Sequence, residues 1–146
     1  MKSDFGDEFL PRKATPGSAG YDFYSTMTME IFPANVKAVD EYYCIDTGIH
    51  LEDGDLAADE ALLILPRSSY GVKYGFYLAN GTGLIDSDYR DSIKVYFNTE
   101  KSILSLKKGD RFVQGVVVKV GIIGGTKAAP APLQRKRKGG IGSTGE

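Results

Sequence analysis

One cysteine, one histidine and no long apolar run are what this 146-residue sequence offers a reader looking for a staple, a metal or a membrane. Cys44 alone excludes an internal disulfide framework, and with His50 as the one imidazole the composition argues against a Cys/His zinc site. No stretch approaches the roughly 20 apolar residues that span a bilayer, and the opening MKSDFGDEFL has no signal-peptide core. Charge of one sign is missing too. Eighteen basic and 19 acidic residues leave a net charge of -1, so unspecific nucleic-acid binding is not expected. The length suits one domain, which at this size buries roughly two-thirds of its unfolded surface without staples. These readings describe a soluble, cytoplasmic, single-domain chain with no membrane or nucleic-acid partner.

Helical periodicity is scarce and strand alternation frequent. Met27, Met29 and Ile31 recur at period two, with Pro33 ending that strand. Val39 to Ile49 reads as a second strand, broken near Thr47-Gly48. Ala61 to Leu65 is a short apolar run ending at Pro66, suited to burial on both faces. Ile93 to Phe97 alternates, and Asn98-Thr99-Glu100 turns before Ile103 to Leu106. Lys108-Gly109-Asp110 turns into the β-branched run Arg111 to Val120. Short strands separated by turn signals predict an all-β sandwich or barrel over residues 1–126, with at most one brief helical turn near Ser69 to Tyr74. His50 reads as a solvent-facing strand residue, Cys44 as a buried small hydrophobe, and Glu52 to Glu60 as a solvated loop. Residues 127–146 differ: two prolines, the basic run Arg135-Lys136-Arg137-Lys138 and a glycine-rich end predict a mobile arm.

Five segments combine turn glycines with small polar or charged residues. Pro16 to Asp22 (PGSAGYD) is either a loop entering a strand or a tight backbone presenting Asp22 near a cation. Pro66-Arg67-Ser68-Ser69 offers a guanidinium fork and two hydroxyls to an anion, or simply caps a helix. In Asn80 to Arg90 (NGTGLIDSDYR), Asn-Gly is a hairpin-turn signal, and the Asn80 amide could read a base edge. Asp86 and Asp88 share a face if that segment is extended; a plainer reading is an acidic turn in which Asp86 pairs with Arg90. Gln114, in GDRFVQ, shares a period-two face with Phe112, Val116, Val118 and Val120, and is either hydrogen-bonded structure or a ligand contact. The glycine-rich tail can wrap a polyphosphate, or its RKRK run can be a nucleic-acid or nuclear-localisation patch.

Taken in order, SAGYD, PRSS, GLIDSDYR, GDRFVQ and GGIGSTG resemble the motifs of the trimeric deoxyuridine triphosphatase (dUTPase) family over residues 14 to 145. The resemblance implies a jelly-roll-like β-barrel subunit, a homotrimer with active sites shared between chains, and Mg²⁺-assisted hydrolysis of dUTP to dUMP and pyrophosphate. By that likeness Asp86 is the catalytic carboxylate that deprotonates the attacking water. Asp22 contacts Mg²⁺ through water, in keeping with an ion that holds several waters and binds through substrate phosphates. Arg67, Ser68, Ser69 and Gln114 match phosphate-side groups. Asn80 and the Gly83-Leu84-Ile85 backbone match the uracil-reading hairpin, Tyr89 the aromatic under the deoxyribose, and Lys94 a position that approaches the nucleotide. In the tail, Ser143 and Thr144 match hydroxyls that reach the γ-phosphate.

The sequence departs from the family pattern at three places. Ile141 stands where the family tail carries an aromatic, losing a stacking contribution of about 1 kcal/mol. Lys136 stands at the tail's usual arginine, with Arg135 and Arg137 beside it; Arg137 is the expected γ-phosphate ligand. Asp91 replaces a typical glycine. The family's relatives, the dCTP deaminases, share the fold, but no carboxylate is placed by motif for attack on the base. The residues also admit a dUTP-binding regulator without turnover, or a nucleic-acid module using the RKRK run.

Overall fold

The structure, a computed structural model, describes residues 1–36, 41–121 and 123. In chain order they form β1 (Lys2–Ser3), β2 (Tyr21–Tyr24), β3 (Met29–Ile31), β4 (Tyr43–Asp46), β5 (Ile49–His50) and β6 (Glu60–Pro66). The helix α1 (Ser68–Tyr74) follows, then β7 (Tyr77–Leu78), β8 (Gly83–Asp86), β9 (Lys94–Asn98), β10 (Leu104–Leu106) and β11 (Arg111–Lys119). Every ladder is antiparallel. The largest sheet has the order β2-β11-β6-β8, a second β4-β9-β7, and β1-β5 and β3-β10 are two-stranded. The chain is therefore all-β with one short α-helix and two single 3-10 turns, Asp7–Phe9 and Ala34–Val36, among the described residues. The tail candidates Arg135, Lys136, Arg137, Ile141, Ser143 and Thr144 lie outside those residues.

Alternation finds most strands but overstates some. The run from Thr26 shrinks to β3, because the Ser25 hydroxyl donates to the Met27 carbonyl at 2.7 Å and turns Met27 outward, leaving it 43% exposed. The break at Thr47-Gly48 is there, between β4 and β5. The strand expected to be buried on both faces, β6, has one face in the core: Leu62 and Ile64 are sealed, whereas Leu63 and Leu65 on the other face are half-buried. A central strand of a single sheet has a covered second face only if something else packs there.

The core is built on aromatic contact. Phe76 stacks on Phe97 at 4.7 Å between ring centroids, Phe112 lies 6.1 Å from Phe97, and Phe23, Leu62 and Val113 complete a sealed centre. Gly115 lets β11 approach this centre, since a Cβ there would lie 2.7 Å from Phe23 and 2.9 Å from Leu62. A bulge between Arg111 and Val113 corrects the expected face of β11. The extra residue turns Phe112 and its neighbour Val113 both into the core, so Phe112 does not share the face of Gln114.

Three further expectations are adjusted. Cys44 is half-buried opposite Tyr96, with burial pushing its thiol pKa up. His50 does not simply face solvent: both ring nitrogens have protein partners. The loop after Leu51 is acidic and exposed, yet it is anchored, because the Met1 amine pairs with Asp55 and lies 3.4 Å from Glu52.

Candidate active site

At one end of the large sheet, three predicted residues meet. Asp22 on β2 sits opposite Gln114 on β11, which sits opposite Leu65 on β6, so the ladder itself forms a row across the sheet. The Asp22 backbone is pinned by paired hydrogen bonds with Arg12. Arg67 follows β6 directly and occupies the N-cap position of α1. Its Nε lies 3.3 Å from one Asp22 oxygen, and it donates to the Arg111 carbonyl at 3.2 Å. The other Asp22 oxygen meets Arg111 at 3.2 Å. Gln114 donates through Nε2 to the Pro66 carbonyl at 3.1 Å. Gly20 makes room for that amide, because a Cβ at position 20 would stand 2.8 Å from its Oε1. Ser68 and Ser69 open α1, exposed, with no side-chain cap bond at the helix start.

The result is a half-buried carboxylate, 13% exposed, held between two guanidinium groups beside a helix opening. Such a rim can take phosphate oxygens through planar N–H forks and hydroxyls. Arg111 joins this site although its motif does not single it out. It stands inside GDRFVQ, but an arginine after a Gly-Asp turn looks like an ordinary solvated charge. Only the register, which sets it against Tyr24 beside Asp22, reveals its partner.

A second group gathers elsewhere. The Asn80-Gly81 turn forms, with Gly81 at φ +68° and its N–H on the Leu78 carbonyl at 3.0 Å. It is not a two-stranded hairpin: β7 pairs with β9 and β8 with β6, so the turn passes the chain from one sheet to the other. Gly83 packs on Ile64, Ile85 on the core, and Leu84 projects outward, 61% exposed. Asp86 closes β8, half-buried. Ser87 and Asp88 then turn, with the Tyr89 N–H on the Asp86 carbonyl at 3.1 Å, so the segment is not extended there and the expected common face of Asp86 and Asp88 fails. Arg90 meets Asp53 at 2.9 Å and the carbonyls of Ser87 and Tyr89. The Tyr89 hydroxyl donates to the Ser92 carbonyl at 3.2 Å; burial pushes its pKa up, helped by Asp91, Asp46 and Tyr96. Lys94 is exposed at the start of β9, opposite Asp46.

Asp22 and Asp86 lie on one face of one sheet but far apart. Register puts Asp86 beside Ala61, four residues along β6 from the Leu65 row, and three strand spacings from Asp22. At usual strand geometry that is about 13 Å along and about 14 Å across, hence about 20 Å between them. Between them lies an apolar stretch: half-buried Leu63, Leu65, Val116 and Val118, with exposed Leu84. One chain thus carries both sets of groups without joining them.

Among the described residues, no cluster of three or more His, Cys, Asp or Glu could cage a metal. Asp22 is already paired with two guanidiniums, so a Mg²⁺ here would be held mainly by a polyphosphate and would touch the protein only through its water shell. Nor is any described helix long and apolar enough to cross a membrane.

Comparison with known proteins points one way. The family model described as dUTPase matches residues 8–145. A deoxyuridine 5'-triphosphate nucleotidohydrolase of Shewanella oneidensis is 43% identical over 126 residues, 82% of this chain and 76% of its own. Among solved structures, a dUTPase from Streptococcus mutans is similar with a TM-score of 0.68 at 28% identity, covering 86% of this chain and 97% of that one. A mutant dUTPase from phage phi11 of S. aureus, described with a coordinated structural Mg(II) ion, shares the fold with a TM-score of 0.65 at 17% identity, covering 87% and 94%.

Proposed function

The chain belongs to the dUTPase family, and we propose that it hydrolyses dUTP to dUMP and pyrophosphate in sites shared by the chains of a homotrimer. The observation that carries the shared site is the gap of about 20 Å between Asp22 and Asp86 on one sheet face, too far for one nucleotide's reacting phosphorus to contact both in a single chain. A second copy, packed against the apolar stretch around Leu63, Leu84 and Val116, brings its Asp86 to the first copy's Arg67 and Gln114 and removes that stretch from water.

In this reading Arg67, Ser68, Ser69 and Gln114 hold and orient the phosphates. Asp86 accepts a proton from a water as its oxygen forms a bond to the α-phosphorus; the bond from that phosphorus to the bridging oxygen breaks, and pyrophosphate leaves. Asp22 would hold Mg²⁺ through the ion's water shell, and the ion, arriving with the triphosphate, would neutralise charge on its oxygens. Asn80 and the backbone from Gly83 to Ile85 read the uracil, the Tyr89 ring lies under the deoxyribose, and Lys94 stands near the nucleotide. The arm contributes Arg137, Ser143 and Thr144 to the γ-phosphate and covers the base with Ile141. Closure by such an arm excludes water from the reacting groups. The activity keeps uracil out of DNA and supplies dUMP in the cytoplasm, the host's if the gene is viral.

The test is pyrophosphate release with Mg²⁺ from dUTP, beside dCTP, dTTP and UTP. Release from dUTP alone is expected. Ammonia from dCTP would move the chain to the deaminases, and tight dUTP binding with no release would make it a regulator.

A further inference from the structure

The loop behind Asp86 is held from a direction that no motif covers. Within residues 87–92, the Arg90 guanidinium donates to the Ser87 and Tyr89 carbonyls at 2.9 and 3.0 Å, and the Tyr89 hydroxyl donates to that of Ser92. The Arg90 carbonyl faces His50 on β5, whose Nδ1 lies 2.9 Å away. On the other side of the ring, Nε2 lies 2.7 Å from Oδ2 of Asp4, in the segment just after β1. A carbonyl and an ionised carboxylate only accept hydrogen bonds, and a neutral imidazole carries a single N–H. Both contacts are made together only when both ring nitrogens carry hydrogen.

We propose that His50 is a positioning residue for the reaction: as an imidazolium it clasps the Asp4 carboxylate and the Arg90 carbonyl together and so fixes the loop that carries Tyr89 and follows Asp86. This rests on the reading of Asp86 and Tyr89 as nucleotide-site groups. The ring is well covered, its side chain only 18% exposed, so solvent competes weakly for the two contacts. The charged groups that face it are Asp4, which favours the imidazolium, Lys2, directly opposite in the β1-β5 ladder, which opposes it, and Arg90, whose guanidinium is turned to Asp53. Burial works against the charged ring, but the Arg90 carbonyl and Asp4 outweigh it, and the histidine pKa is raised above 6.5. The sign follows. The clasp is complete below pH 6.5 and is lost as pH rises through the higher folded value, where the ring keeps one N–H and must release a partner.

His50 is the only histidine in the chain, so untagged protein gives one set of imidazole proton resonances and one titration curve. Its midpoint is expected above 6.5 and should fall in Asp4→Asn. In wild-type protein the KM for dUTP should rise about fivefold as pH passes that midpoint, the worth of one lost hydrogen bond, with kcat little changed. His50→Gln should hold the higher KM at every pH, which a merely structural residue would not produce. A midpoint at or below 6.5, or one unmoved by Asp4→Asn, overturns the clasp; so does a His50→Gln profile that overlays wild type. Should the wild-type chain not turn over dUTP, the functional reading fails, while the midpoint and its response to Asp4→Asn still decide the clasp.

Discussion

At the scale of single residues, the chemistry turns on groups whose neighbours come from distant sequence. Asp22 faces Arg67 and Arg111 across gaps of 45 and 89 positions, and the three sit at one sheet end because β11 pairs with β2 on one side and β6 on the other. Tyr89 is a sharper test of role. Its hydroxyl is tied to the Ser92 carbonyl and its ring is half-buried, so the ring face is held in one orientation beside the Asp86 turn. If that face excludes a ribose 2'-hydroxyl, Tyr89→Ala should cut the preference for dUTP over UTP by about ten- to a hundredfold in kcat/KM, the scale of steric discrimination by one pocket contact. An unchanged ratio, with both nucleotides hydrolysed, would remove Tyr89 from the sugar site. Asp22, Arg67, Gln114 and Asp86 stood out in the sequence through the motifs that resemble the family, since taken alone each also admitted a plain structural reading. Arg111 and His50 did not, since a charge after a turn and an imidazole on a short strand acquire meaning only from partners up to 89 positions away.

Elements were legible where the pleat is regular and lost where it is not. Alternation located β9, turn signals placed β10 and β11, and Pro66 marked the end of β6. Period two assumes an unbroken ladder, so it could not foresee the bulge that turns Phe112 inward, nor that the Asn80-Gly81 turn joins strands of different sheets. Composition also hid the two-sided character of β6, because Leu63 and Leu65 look as apolar as Leu62 and Ile64. The junction of β11 with the core gives an element-level prediction. A Cβ at position 115 would stand 2.7 Å from Phe23 and 2.9 Å from Leu62, both fully sealed and without room to yield. Gly115→Ala should therefore destabilise the fold by roughly 1–3 kcal/mol through overpacking, read as a lower denaturation midpoint at unchanged slope. An unaltered midpoint would mean that the sheet slides off the Phe23 ring at no cost.

For the whole molecule the question is where one site begins and another chain's ends. On the proposed shared-site reading, a sheet with Asp22, Arg67 and Gln114 at one end and Asp86 at the other, apolar between, would form half of an interface repeated on every copy. Two inactive variants then have a predictable joint behaviour. If Asp86 is the base and Arg67 a phosphate fork, Asp86→Asn and Arg67→Ala are each expected to lose roughly a hundred- to ten-thousandfold in turnover. Unfolded and refolded together in equal amounts, the chains assort at random. If a site takes Arg67 from one copy and Asp86 from the next, a pair of that kind arises in about one case in four for random assortment in a cyclic oligomer. Mixing should therefore restore about a quarter of wild-type activity, while each variant refolded by itself stays silent. If both groups of a working site came from one chain, no mixture could rescue either variant, because every chain would carry a lesion in its own site. Recovery measured against the mixing ratio separates the two architectures, since sharing predicts a maximum at equal amounts and a self-contained site predicts a flat baseline.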